Sequence, residues 1–151
     1  MVAAMTVGGL VGLVALERLL TTQTESRLLR ATAIGCALVF VAWVFAPPVL
    51  AELGMSPILA SIVLMLPVGA FVAPLYPLCA AQAFARRPEA SGSVLAAGHL
   101  FTPLGLALPW LVGVIADRAG TTVALLVLLA QPVVIIVFAK YAAPSPPASD
   151  P

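Results

Sequence analysis

ASGSVLAAGHLFTPLGLALPWLVGVIADRAG, residues 90–120, decides how the rest of the chain is read. From Ala90 to Ala116 it contains no Asp, Glu, Lys or Arg. A helix crossing a hydrocarbon core of about 30 Å needs about 20 predominantly apolar residues. The run is long enough, and it closes abruptly on Asp117-Arg118 ahead of Gly120. Inside it lie Pro103, Pro109, Gly98, Gly105, Gly113 and the single histidine of the chain, His99. It reads as a spanning helix whose glycines meet close neighbours, with a polar cavity as the setting for the histidine.

The remainder of the chain is of the same kind. Hydrophobic residues make up 62% of the 151 and charged residues 9%, with a mean hydropathy of +1.15. A soluble domain carries about 25% charged residues, because it must cover its surface with them. The composition therefore predicts an all-α integral membrane protein. A net charge of +1 excludes the clustered basic face of a nucleic-acid binder. Cys36 and Cys79 sit in apolar segments without CxxC spacing, so neither a metal centre nor a disulfide framework is expected. There is no GxSxG, P-loop or HExxH pattern and no carboxylate inside an apolar run. An intramembrane hydrolase needs a nucleophile with its base, or a set of metal ligands. No enzyme activity, catalytic residue or cofactor is predicted.

Five apolar runs can be marked out, giving helices over about 2–20, 28–46, 56–84, 91–115 and 121–139 in a membrane domain over 1–142. The first carries Gly8, Gly9 and Gly12, and small residues let helix backbones approach closely in a membrane. With no Lys or Arg before Arg18 it reads as a span rather than a removed signal. It also reads as though the chain began partway along a longer one. Residues 21–30 are expected to be a polar loop. The second run is expected to stop at Pro47-Pro48, which lack backbone donors, with Trp43 near its end at a headgroup boundary. Ser56-Pro57 is a helix start for a third run that stays uncharged over 53–85. At about 1.5 Å per residue that is about 50 Å of helix, so hinges are expected at Pro67, Pro74 and Pro77. The tail 143–151, APSPPASDP, is expected to be disordered and cytoplasmic.

Charge sets the orientation. Arg18, Arg27, Arg30, Arg86, Arg87 and Lys140 fall on one side of these spans, and Arg118 alone on the other. Lys and Arg favour the cytoplasm, so the amino end is expected outside and the carboxyl end inside a plasma or inner membrane.

Tyr76-Pro77, Arg86-Arg87-Pro88, the Gly105-x3-Pro109-Trp110-x2-Gly113 segment and Ala116-Asp117-Arg118-Ala119-Gly120 resemble the carboxyl-terminal half of a major facilitator superfamily transporter. The flavour is that of its sugar-permease-like branch. The resemblance is densest over 70–120 and extends over 5–140, which makes the five helices the last five of twelve. Such a span order also starts outside and ends inside. The loop after the first helix departs from the family's GxxxDRxGRR-like pattern, having one residue too many before Glu17-Arg18 and no second glycine. The resemblance implies secondary active transport of a small solute at the interface of two pseudo-symmetric halves. The implied partners are that solute, with proton coupling as one route, the lipid bilayer, and an amino-terminal half or partner subunit.

The candidate substrate-path residues are His99, Thr102, Tyr76 and Gln82, with Gln131 also polar within its run. An ionisable residue about 12 Å along a spanning helix usually faces a cavity or the bundle interior. The alternative is a neutral histidine bonded to a backbone carbonyl, and a threonine bonded to its own helix. Thr102, three residues after His99, shares its face. Gly113, Asp117, Arg118 and Gly120 form the candidate gating turn, with Asp117 at the positive end of the fifth helix; the alternative is a capped hairpin without a gating role. Trp110 reads as an interface anchor. Two other functional readings stand beside transport: a five-helix scaffold for a partner, and a non-functional remnant of a permease.

Overall fold

A computed structural model describes residues 1–86, 88–100 and 102–139. All the elements they form are helical. α1 is Val2–Leu20, α2 Glu25–Glu52, α3 Pro57–Val72, α4 Leu75–Arg86, α5 Ser91–Leu100, α6 Thr102–Ala119, α7 Thr121–Leu128 and α8 Ala130–Phe138, with a 3-10 turn at Pro88–Ala90 before α5. They line up as five spans long and apolar enough to cross a membrane: Val2–Leu20, Glu25–Glu52, Pro57–Arg86, Pro88–Ala119 and Thr121–Phe138. The expected number and order of helices is what is found. The expectation of a disordered tail at 143–151 falls outside the described residues.

Three boundaries differ from the sequence reading. α2 starts at Glu25, so only residues 21–24 remain of the expected loop. The hydroxyls of Thr21 and Thr22 turn back onto the carbonyls of Arg18 and Leu19, closing α1. Secondly, α2 does not stop at Pro47-Pro48 but runs through both to Glu52. A proline ring holds φ at about −65°, which is a helical value, so the pair removes two donors without forcing the chain out of the helix. Apolar residues 49–51 then resume it, which leaves Trp43 well inside the helix rather than near its end. Thirdly, the last two spans are each in two pieces, α5 with α6 and α7 with α8.

Of the three prolines expected to act as hinges, one sits at a break. Pro67 lies inside an unbroken α3 and Pro77 in the first turn of α4, where a missing N–H costs little. Pro74 sits between α3 and α4, and it is buried.

The closest packing is of α1 against α3. A Cβ on Gly8 would collide with the carbonyl of Leu66, one on Gly12 with the carbonyl of Ala70, and one on Gly69 with the carbonyl of Met5. The two backbones are therefore in direct contact. α2 lies on the other side of α3 and also carries α4 and α8. Leu16, Leu28, Leu29, Ala33, Cys36, Leu75, Leu78 and Ala139 form one buried cluster. Together with the hydrogen bond from Gln82 to Glu25 and the cleft that Leu29 shares with Arg86 and Phe138, this places the end of α1, the start of α2 and the ends of α4 and α8 at the same pole of the bundle. Arg18, Arg27, Arg30 and Arg86 belong to these helix ends.

The span Pro88–Ala119 is the exception. None of its described residues is buried, and its strongest contact is that of α6 with α7. Among the described residues, nothing lies within 4 Å of a Cβ built on Gly98, Gly105 or Gly113. The expectation that these glycines meet close neighbours is corrected: the glycines in contact are those of α1 and α3.

This asymmetry makes a direct comparison possible. Gly12→Ala should destabilise the protein by about 1–3 kcal/mol, the usual cost of forcing extra volume into a packed contact. Gly113→Ala should be neutral or stabilise by up to about 1 kcal/mol, since alanine is the better helix former. Unfolding of the detergent-solubilised protein followed by circular dichroism measures both. Equal effects would contradict the packing described.

Candidate functional site

α4 organises the polar residues. Tyr76, in its first turn, is 81% exposed and borders two grooves. On one side a groove of about 410 Å³ is walled by α4 and by α5 with the start of α6, and Tyr76, His99 and Thr102 all line it. On the other, a groove of about 360 Å³ brings Tyr76 together with Gln131, against Cys36 and Phe40 of α2 and Ile135 of α8. Three of the four candidate path residues thus share one groove, although most of α4 and of α5 separates Tyr76 from His99 along the chain. Spacing indicated His99 with Thr102; only the turn between α4 and α5 brings Tyr76 to them.

The side chains of Tyr76, His99 and Thr102 form no hydrogen bond among the described residues. Thr6 and Ser61, by contrast, donate to the carbonyls four residues back, Val2 and Pro57, at 3.0 and 2.8 Å. A threonine that merely satisfies itself on its own helix behaves as Thr6 does. Thr102 does not, nor is His99 tied to a backbone carbonyl of the described residues. Donors and acceptors on all three are unpaired among the described residues. The rest of the wall is Cys79, Ala80, Ala83, Phe84, Val94, Leu95 and Gly98, so the groove is an apolar trough with a few convergent polar groups, as small-molecule sites are.

Gln82 has a different place. It is 6% exposed and lies near the basic pole, away from the groove shared by Tyr76, His99 and Thr102. Its Nε2 donates to Oε2 of Glu25 at 3.0 Å, joining α4 to the first turn of α2. Its Oε1 is buried without a hydrogen-bond partner among the described residues. Gln82 therefore joins two helices, apart from the groove that the other three candidate residues share. The sequence signal that could have found this is the coincidence of a lone amide on an apolar stripe (Leu75, Leu78, Gln82) with a carboxylate at a helix start.

The turn 113–120 is only partly as expected. Asp117 and Arg118 both lie in the last turn of α6, which continues to Ala119. Asp117 therefore faces the negative end of α6 and does not cap α7, whereas Arg118 suits that end. Neither makes an ion pair among the described residues, and both are exposed. Gly120 carries the reversal: it adopts φ 91°, ψ 155° directly before α7, a region that is essentially closed to other residues. α6 and α7 pack against each other across it.

No group of three or more His, Cys, Asp or Glu residues that could hold a metal occurs among the described residues. Comparison with known proteins finds no matching family model, no matching curated protein and no matching solved structure.

Two sets of substitutions probe these assignments. Gln82→Leu leaves the half-buried Glu25 carboxylate without its donor and should cost about 1–3 kcal/mol. A double-mutant cycle of Glu25→Ala with Gln82→Ala should return a coupling of about 0.5–2 kcal/mol, and a coupling near zero would remove this link between the helices. Gly120→Ala should cost about 1–3 kcal/mol through backbone strain alone, read as a lowered unfolding midpoint; an unchanged midpoint would mean the turn relaxes to another form.

Proposed function

We propose that this chain is a multi-pass membrane protein and forms the carboxyl-terminal part of a secondary active transporter for a small solute, of the major facilitator type. The observation that carries this reading is the groove lined by Tyr76, His99 and Thr102, whose polar atoms are unused by the described fold. It lies beside a span, Pro88–Ala119, that presents glycine and threonine to open space. In a transporter built from two halves, substrate binds between them near the membrane midplane. The bare face of α5 and α6 would then meet the amino-terminal half, with the groove at the junction. Helices α3 and α4, broken at Pro74, would supply the movement of one wall.

The basic pole supports an orientation with the amino end outside and the carboxyl end in the cytoplasm, since Arg18, Arg27, Arg30 and Arg86 gather at one pole. His99 is the one titratable group of the groove beside the tyrosine and cysteine, and would bind the solute or handle a proton. The motif resemblance and the orientation favour transport over a scaffold built from the same five helices.

Cysteine accessibility tests the reading without knowledge of the substrate. On a background with Cys36→Ala and Cys79→Ala, single substitutions Tyr76→Cys, His99→Cys and Thr102→Cys are expressed in cells. A water-filled path predicts that a membrane-impermeant maleimide labels all three, while Leu106→Cys, on the exposed surface of α6, stays unlabelled in the lipid. Failure of all three to react would mean that the groove faces lipid, and the scaffold reading would replace transport.

A further inference from the structure

A second cleft lies at the basic pole. α4 and α8 both pack on α2 without approaching each other closely among the described residues. Between them is an open cleft of about 350 Å³, floored by Leu29 of α2. One wall is Cys79, Gln82, Ala83 and Arg86, residues at intervals of three and four along one face of α4. The other includes Val134, Ile135 and Phe138 of α8. From Cys79 to Arg86 the wall runs about 10 Å along the helix, apolar at its deep end and cationic at its mouth. Arg86 is exposed and has no ion pair among the described residues. Glu25, the carboxylate at this end of α2, is engaged by Gln82 instead.

We propose that this cleft binds an anionic phospholipid, with the guanidinium of Arg86 on the headgroup phosphate and an acyl chain along Ile135 and Val134. This rests on the membrane-spanning and orientation parts of the preceding reading, and not on transport. Charge complementarity decides the occupant. Basic pockets between helices at the cytoplasmic face take anionic headgroups, and a guanidinium matches phosphate oxygens in a bidentate manner. The apolar walls cannot discriminate between lipids, because acyl chains are as apolar as the groove. They fix where the chain lies, and the headgroup contact sets the preference. That preference should be about fivefold, the contribution of one basic side chain near an anionic surface.

The test uses the full chain in nanodiscs containing equal parts of phosphatidylglycerol and phosphatidylcholine. Lipids retained after extraction into detergent are counted by native mass spectrometry. The wild type should retain phosphatidylglycerol about fivefold over phosphatidylcholine. Arg86→Gln should bring the ratio to parity. Val134→Trp, at a half-exposed position that fills the cleft, should lower retention of both lipids. Equal retention by the wild type, a preference that survives Arg86→Gln, or retention unchanged by Val134→Trp would each overturn the site. Displacement of the lipid by millimolar glycerol phosphate would also overturn it, because the cleft would then be a simple anion site. Resistance to alkaline extraction, measured on the same membranes, reports insertion separately, so failure of the membrane reading is distinguishable from failure of the lipid site.

Discussion

The contact between the backbones of α1 and α3 is the constraint on which the other positions depend. Gly8, Gly12 and Gly69 leave no room for a Cβ, since each faces a carbonyl group of the opposite helix. Side-chain packing can adjust through rotamers; a backbone meeting a backbone cannot. α3 held in this way presents its other side to α2, and α2 in turn carries α4 and α8. A shift of α1 by one residue would place Val7 or Val11 where glycine now stands, and the sequence of contacts would fail at its first member.

From that contact the bundle grows unevenly. The pole that collects the end of α1, the start of α2 and the ends of α4 and α8 is knit by the buried cluster and by the Glu25–Gln82 hydrogen bond. The span Pro88–Ala119 leans on the rest mainly through α7. One part of the molecule is thus internally satisfied, and another carries glycines and polar groups that the described residues leave unused. The candidate groove lies where the two meet, walled by α4 from the first part and α5 from the second.

The polar residues divide along the same line. Gln82 is spent on structure: one amide atom holds Glu25, and the other is buried without a partner among the described residues, a cost that only an important contact offsets. Tyr76, His99 and Thr102 stay open at the groove. Gln131, beside Pro132 in the middle of an apolar run, faces Tyr76 from the opposite side. Tyr76 stands between two sets of polar groups because it lies in the first turn of α4, where one groove is walled by α5 and the other by α2 and α8.

Composition and run length determined by themselves that the chain would be helical, apolar enough to span a membrane, and divided into five spans with their charges gathered near the ends. These properties follow from counts and from a helical rise of about 1.5 Å per residue, and need no knowledge of neighbours. The reversal at Gly120 was also legible, because it is local. Which glycines pack was not. Gly98, Gly105 and Gly113 look as suited to close approach as Gly8 and Gly12, and only the partner across the contact distinguishes them. Pro47-Pro48 reads as a stop because two donors are missing, yet the helical φ and the apolar residues beyond carry α2 onward. Gln82 reads as a path residue because its sequence neighbours say nothing of Glu25, 57 residues earlier. A residue's neighbours along the chain are set by its sequence, whereas its neighbours in space depend on how every other helix has packed.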